Sequence, residues 1–144
     1  MVQVRLAEDE AARRLCLRLR WTVFVEEQNV PPSLEVDEHD SSDAVHALAL
    51  LDGVPVGTGR FVFVQPGLAR IGRMAVLDDA RGKGLGRALL RFLEQEARRR
   101  GARRFTLNAQ VSARRFYEKA GYEAVGEVFD DADIPHVRMD RTPG

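Results

Sequence analysis

Arg81-Gly82-Lys83-Gly84-Leu85-Gly86-Arg87 decides how the rest of this 144-residue chain is read. The seven residues follow a largely apolar run, 71–77, with strand character. They precede Ala88-Leu89-Leu90-Arg91-Phe92-Leu93-Glu94, whose apolar spacing is helical. Three glycines therefore stand where a strand gives way to a helix N-terminus. Glycine lets backbone come close to a ligand, and the amides of a first helical turn have no partner inside the helix. Those amides and the helix dipole favour an anion, and the cationic Arg81, Lys83 and Arg87 strengthen that preference. The pattern points to phosphate, and to a diphosphate in particular. The plainer alternative is a tight turn followed by a solvated cationic helix face.

Two common phosphate motifs do not fit. A P-loop requires G-x-x-x-x-G-K-[ST], but Lys83 is followed by Gly84 and position 78 is Asp. A dinucleotide fingerprint requires G-x-G-x-x-G and an acidic residue at the end of the next strand. Here the glycines are 82, 84 and 86, and the following strand runs out at Asn108.

Working outward, residues 2–6 alternate as a short strand, and residues 8–24 form a helix with Ala12, Leu15, Leu19 and Val23 on one face. Residues 29–43, with Pro31-Pro32 and many acids, read as a loop. Strands follow at 45–51 and 54–64, joined by an Asp52-Gly53 turn, and Gln65-Pro66-Gly67 turns the chain into a third at 69–77. The central helix covers 84–100 with Gly101 just past its end. Next come a strand at 103–109, a short helix capped by Ser112 and ending near Ala120-Gly121, and strands at 122–129 and 135–140. The order predicts an α+β (mixed α/β) fold in one domain, 1–144. Its sheet is mixed but mostly antiparallel, with about seven strands, flanking helices and one parallel pair around the glycine loop.

Composition sets further bounds. Hydrophobic residues make up 44% and charged residues 31%, as in ordinary globular domains. Lys+Arg and Asp+Glu both number 22, which argues against a general nucleic-acid binder. Charge is nevertheless uneven. Residues 81–104 hold nine Lys or Arg against Glu94 and Glu96, whereas residues 26–43 hold seven acids and no Lys or Arg. The first region suits an anionic ligand and the second a cationic one, if it is more than a solvated loop. Cys16 is the one cysteine, sits inside the first helix and reads as a core or boundary residue; no intrachain disulfide is possible. The first residues lack a signal-peptide core, and no apolar run approaches the ~20 residues of a membrane span, so a cytoplasmic protein without membrane contact is expected. Three scattered histidines and one cysteine give no metal-ligand spacing.

The motif that does fit is R-x-x-G-x-G, as Arg81, Gly84 and Gly86. It resembles the acetyl-CoA signature of the GCN5-related N-acetyltransferases, and the resemblance extends over nearly the whole chain. Asn108, Ala113, Phe116-Tyr117-Glu118-Lys119 and Gly121-Tyr122 follow in matching order. Val23-Phe24-Val25-Glu26-Glu27-Gln28, Gly72-Arg73-Met74-Ala75-Val76, Asn108-Ala109-Gln110 and Ile134-Pro135-His136 resemble the ElaA-like subgroup more narrowly.

The resemblance implies transfer of an acetyl group from acetyl-CoA to an amine on a small molecule or peptide, by direct attack in a ternary complex. It implies that Gly82, Lys83, Gly84, Leu85, Gly86 and Arg87, with Arg81, hold the CoA diphosphate. It places the pantetheine along Met74, Ala75 and Val76, with a main-chain N–H near Val76 facing the thioester oxygen. It makes Tyr117 the general acid, against the alternative of an aromatic that only secures its helix, and Phe116 the core residue of that pair. Asn108 bonds the pantetheine or a water, or merely caps a turn; Arg114 and Arg115 approach the cofactor or are plain surface charge. Some relatives carry a glutamate on the strand before the glycine loop. Arg73 and Met74 stand there in this chain, so the general base stays open among Glu26, Glu27, His46, His136 and water. Two other classes compete: a non-catalytic acyl-CoA-binding module, and a phosphate-binding domain for another nucleotide. The chain is expected as a monomer or a homodimer paired through its closing hairpin.

Overall fold

In the computed structural model, residues 1–31 and 43–142 are described. Strand β1 (Val2–Leu6) leads into α1 (Glu10–Arg20), which Asp9 caps by accepting the Ala12 N–H at 2.7 Å. Glu10 in the first turn and Arg18 and Arg20 in the last suit the helix dipole. The helix expected over 8–24 does not stop as an α-helix: it widens into a π-helical segment, Trp21–Glu27. There follow β2 (Val45–Leu51), β3 (Val54–Gln65), β4 (Leu68–Val76), α2 (Leu85–Arg99) and β5 (Arg104–Gln110). The chain ends in α3 (Arg114–Lys119), β6 (Glu123–Asp131) and β7 (Ile134–Arg141). Ser112 does not cap α3, contrary to expectation. It lies in a 3-10 turn, Val111–Ala113, and Ala113 takes the cap position without a side-chain bond. None of the described helices is long and apolar enough to cross a membrane.

The strands form one seven-stranded sheet ordered β1-β2-β3-β4-β5-β7-β6, and only β4 and β5 run parallel. This is the expected mixed sheet. On one face, α2 lays Leu85, Leu89 and Leu93 against Phe61, Ile71 and Phe105, with no more than 1% of any of the six exposed. Each such side chain contributes roughly 1.5–3 kcal/mol. The helix sits very close to β3 because Gly59 has no Cβ; one there would come within 2.8 Å of Leu93 Cδ1. On the other face, α1 buries Ala12, Cys16 and Leu19 against Leu48 and Leu50. The Cys16 thiol contacts Ala47 O at 3.6 Å, and burial pushes its pKa up, which keeps it an inert core group.

Two features of β4 open the sheet. Thr58 pairs with Ala75 but Arg60 pairs with Gly72, so Arg73 and Met74 together oppose Gly59. This is a β-bulge, and Arg73 adopts φ 51° there. The second feature is the short pairing to β5, at Leu68↔Arg104, Ala69↔Phe105 and Arg70↔Thr106 only. Beyond Arg70 the two strands separate, while β5 continues beside β7 as far as Gln110↔His136.

Candidate active site

The separation of β4 from β5 creates a cleft of about 480 Å³. Met74, Ala75 and Val76 form one wall and Asn108 and Gln110 the other. The first helical unit contributes Val23, Phe24 and Gln28, and Arg81 and Tyr117 stand toward the glycine loop. The cleft thus brings together five predicted site residues from β4, β5 and α3, and Arg81 from the turn between β4 and α2.

Ladder geometry fixes which way the wall's peptide groups face. Gly57 and Val76 are opposite each other, and the Leu77 N–H donates to Val56 O at 2.9 Å. Gly57 and Val76 are therefore a non-hydrogen-bonded pair, and both the N–H and the C=O of Val76 point away from β3. They point toward the space that β5 has left. The Val76 carbonyl accepts a 2.9 Å bond from Arg81 Nε.

The glycine loop lies at that end of the strand. Gly82 and Gly84 both hold φ 80°, a left-handed conformation that side chains rarely adopt, and a Cβ on either would meet nothing within 4 Å. The loop is thus held in shape with open space above its backbone. The first intrahelical bond of α2 runs from the Ala88 N–H to Gly84 O at 3.1 Å. The amides of Leu85, Gly86 and Arg87 hence have no helical acceptor, and among the described residues no backbone carbonyl takes those of 82–84. Leu85 anchors the turn in the core, and Lys83 and Arg87 are exposed. Unpaired amides, helix dipole and exposed cations together favour an anion at this turn.

Arg81 is engaged elsewhere. Besides Val76 O, its Nη1 and Nη2 donate to the two oxygens of Glu27 at 2.7 and 2.8 Å, and Asp78 Oδ1 lies 3.3 Å from Nη1. The fork holds the Glu27 carboxyl below the usual carboxylate range, opposing a smaller effect of burial.

Phe116, expected as the core residue of its pair, is 37% exposed, while Tyr117 is half-buried against the α2-side core and lines the cleft. Their rings meet edge-on at 5.0 Å, and Tyr117 meets Tyr122 at 6.0 Å. Burial pushes the Tyr117 hydroxyl up to about 12, so it stays protonated at neutral pH. Asn108 does not end its strand: β5 continues for two more residues, and Asn108 is exposed toward the cleft, paired with Arg138 of β7. Arg114 and Arg115 are exposed, and Arg114 pairs with Glu118 on its own helix.

The four base candidates separate. His46 is 4% exposed on β2 and lies outside the cleft lining. Glu26 is exposed and also outside the lining, and Glu27 is committed to Arg81. His136 lines the cleft. Its Nδ1 is 2.7 Å from Ile134 O and its ring stacks on Phe129. A carbonyl can only accept, so in the neutral ring Nδ1 carries the proton and Nε2 keeps the basic lone pair. Of the acidic stretch 26–43, Glu35, Asp37, Glu38 and Asp40 lie outside the described residues.

Sequence reading missed Arg60 and Arg70, which also line the cleft, and the bond from Gln110 Nε2 to Gln28 Oε1 at 2.8 Å. Gln28 and Gln110 are 82 positions apart, and no local pattern announces the contact.

The comparisons with known proteins agree with this fold. The Acetyltransferase (GNAT) domain family matches residues 7–143. The uncharacterized N-acetyltransferase YjcF of Bacillus subtilis is 38% identical over 135 residues, covering 93% of this chain and 95% of YjcF. An acyl-CoA N-acyltransferase from Pseudomonas aeruginosa superposes with a TM-score of 0.82 at 33% identity, covering 99% of both chains. Escherichia coli ElaA superposes with a TM-score of 0.85 at 28% identity, covering 98% of this chain and 99% of its own. The chain belongs to the GNAT acetyltransferase family and is an acetyl-CoA-dependent N-acetyltransferase.

Proposed function

We propose that the cleft carries an acetyl group from acetyl-CoA to a primary amine by direct attack, with both substrates bound together. The observation that carries this reading is the open edge of β4. Past the bulge, the main-chain groups of Val76 face the gap, and an extended pantetheine can add there as a strand adds to a sheet edge. The loop amides at 82–87 lie at the end of that edge and suit the diphosphate. Acetyl-CoA supplies an acyl group already activated as a thioester.

The chain's own groups then divide the work. Arg81 occupies the Val76 carbonyl, which leaves the Val76 N–H as the donor toward a developing oxyanion. The Tyr117 hydroxyl, kept neutral by burial, donates to the departing sulfur. His136 Nε2 takes the proton that the amine releases on forming its bond to carbon, directly or through one water. Asn108 offers its amide to the pantetheine from the opposite wall.

Thiol release measured over a panel of primary amines tests the reading. Amine-dependent release is expected, and Tyr117→Phe should lower kcat by ~10²-fold with CoA affinity nearly unchanged. Unchanged turnover in that variant removes Tyr117 from the chemistry. CoA binding without release on any amine makes the protein a binding module. Thermal shift with acetyl-CoA, ATP and NAD checks the donor separately, because a ligand at 100 times its dissociation constant stabilises by about 2.7 kcal/mol.

A further inference from the structure

The arginine that opens the glycine motif would ordinarily be counted as a phosphate ligand. Its hydrogen bonds say otherwise. Nε is spent on Val76 O, and both terminal nitrogens are spent on the Glu27 carboxylate in a fork at 2.7 and 2.8 Å. A guanidinium held this way has no edge left to present to a diphosphate without first releasing Glu27. The partners are also informative. Val76 ends the strand that carries the open edge, and Arg81 begins the loop whose amides suit an anion. Glu27 ends the π-helical segment Trp21–Glu27, which supplies Val23 and Phe24 to the far side of the cleft, with Gln28 following at once. Gln28 is in turn bonded to Gln110 on the opposite wall. One side chain therefore joins the glycine loop, the strand end and the helical segment that lines the far side of the cleft, across 54 positions of sequence.

We propose that Arg81 and Glu27 form a positioning clamp that couples the two halves of the cleft, so that seating the acyl donor orders residues 21–28 as a wall for the acceptor. The inference rests on the donor site proposed above. The clamp gives the two substrates a shared element. By thermodynamic reciprocity, whatever the donor gains from an ordered wall, the acceptor gains from a seated donor. An exposed pair of this kind adds little to stability, yet its bidentate fork fixes orientation.

Hydrogen exchange of the full chain with and without saturating acetyl-CoA tests this without knowledge of the acceptor. In the wild type, acetyl-CoA is expected to slow exchange at residues 82–87, and also at 21–28 by about fivefold or more. In Glu27→Gln and Arg81→Lys the slowing at 82–87 should remain. That at 21–28 should largely vanish, with the acetyl-CoA dissociation constant within about threefold of wild type. Protection at 82–87 with none at 21–28 in the wild type overturns the clamp and leaves the donor site standing. No protection at 82–87 overturns the donor site and the clamp with it. If Arg81→Gln weakens acetyl-CoA binding by about tenfold or more while Glu27→Gln is neutral, Arg81 is a phosphate ligand and the clamp is wrong.

Discussion

Two glutamate–arginine pairs that join distant parts of the chain, Glu94–Arg141 and Glu27–Arg81, do different work. Glu94, on the core side of α2, accepts from Arg141 at 2.7 Å with one oxygen and from the Tyr122 hydroxyl at 2.7 Å with the other. Its side chain is 5% exposed and that of Arg141 28%. Glu27 and Arg81 make a comparable bond at the mouth of the cleft, but both side chains are 39% exposed. Charge and chemistry are alike; burial differs. A buried carboxylate that loses its partners keeps its desolvation cost, whereas an exposed one recovers water. The first pair therefore serves stability, by stapling α2 to the ends of the closing hairpin. The second contributes little to stability, and its three-way geometry serves the site.

The largest expected effect tests the buried pair. Arg141→Ala strands the Glu94 carboxylate with Tyr122 alone and should destabilise the protein by about 3–5 kcal/mol, the usual cost of an orphaned buried charge. Chemical denaturation measures it. A loss below about 1 kcal/mol would mean that water reaches Glu94, and the contrast between the pairs would fail. Tyr122→Phe is the next step down. Tyr122 is 2% exposed, and burial together with the Glu94 charge pushes its pKa well up, so the hydroxyl remains a donor throughout the working range. Removing it leaves one Glu94 oxygen unpaired and should cost about 1.5–3 kcal/mol. Turnover per folded molecule should be unchanged, because the hydroxyl bonds to Glu94 and Tyr122 is not among the residues lining the cleft.

The two pairs also show what a sequence can reveal. The glycine loop is legible because its signals are local: Gly82 and Gly84 stand where φ is 80°, between a strand and a helix. The strands of the meander are legible from alternation and from turn residues such as Asp52-Gly53. The bulge is not, because Arg73 at φ 51° is a residue type that gives no warning of such a conformation. It is nonetheless the feature that, with the short β4–β5 ladder, turns a sheet into a cleft. The exposure of Phe116 escapes sequence reading because adjacent aromatics on a six-residue helix offer too little periodicity to choose a face. These two long-range glutamate–arginine pairs are invisible for a common reason. They join residues 47 and 54 positions apart, and only tertiary packing brings them together.

The smallest expected effect is on the stability of the exposed pair, and it sharpens the comparison most. The Arg81 fork lowers the Glu27 pKa on folding. A depressed carboxylate contributes stability above its unfolded pKa of about 4.3 and loses it as pH falls through the lower folded value. Glu27→Gln should therefore change stability at pH 7 by less than about 1 kcal/mol, and should remove a small part of the acid-induced destabilisation below about pH 4.3. Its kcat should fall even so, because the amide that replaces the carboxylate can accept from Arg81 at one oxygen only and the fork is lost. Denaturation at pH 7 and pH 3.5, read beside turnover, separates the two roles. Should stability fall by as much as in Tyr122→Phe with kcat unmoved, Glu27 would be structural cement like Glu94, and burial would not be what distinguishes the pairs.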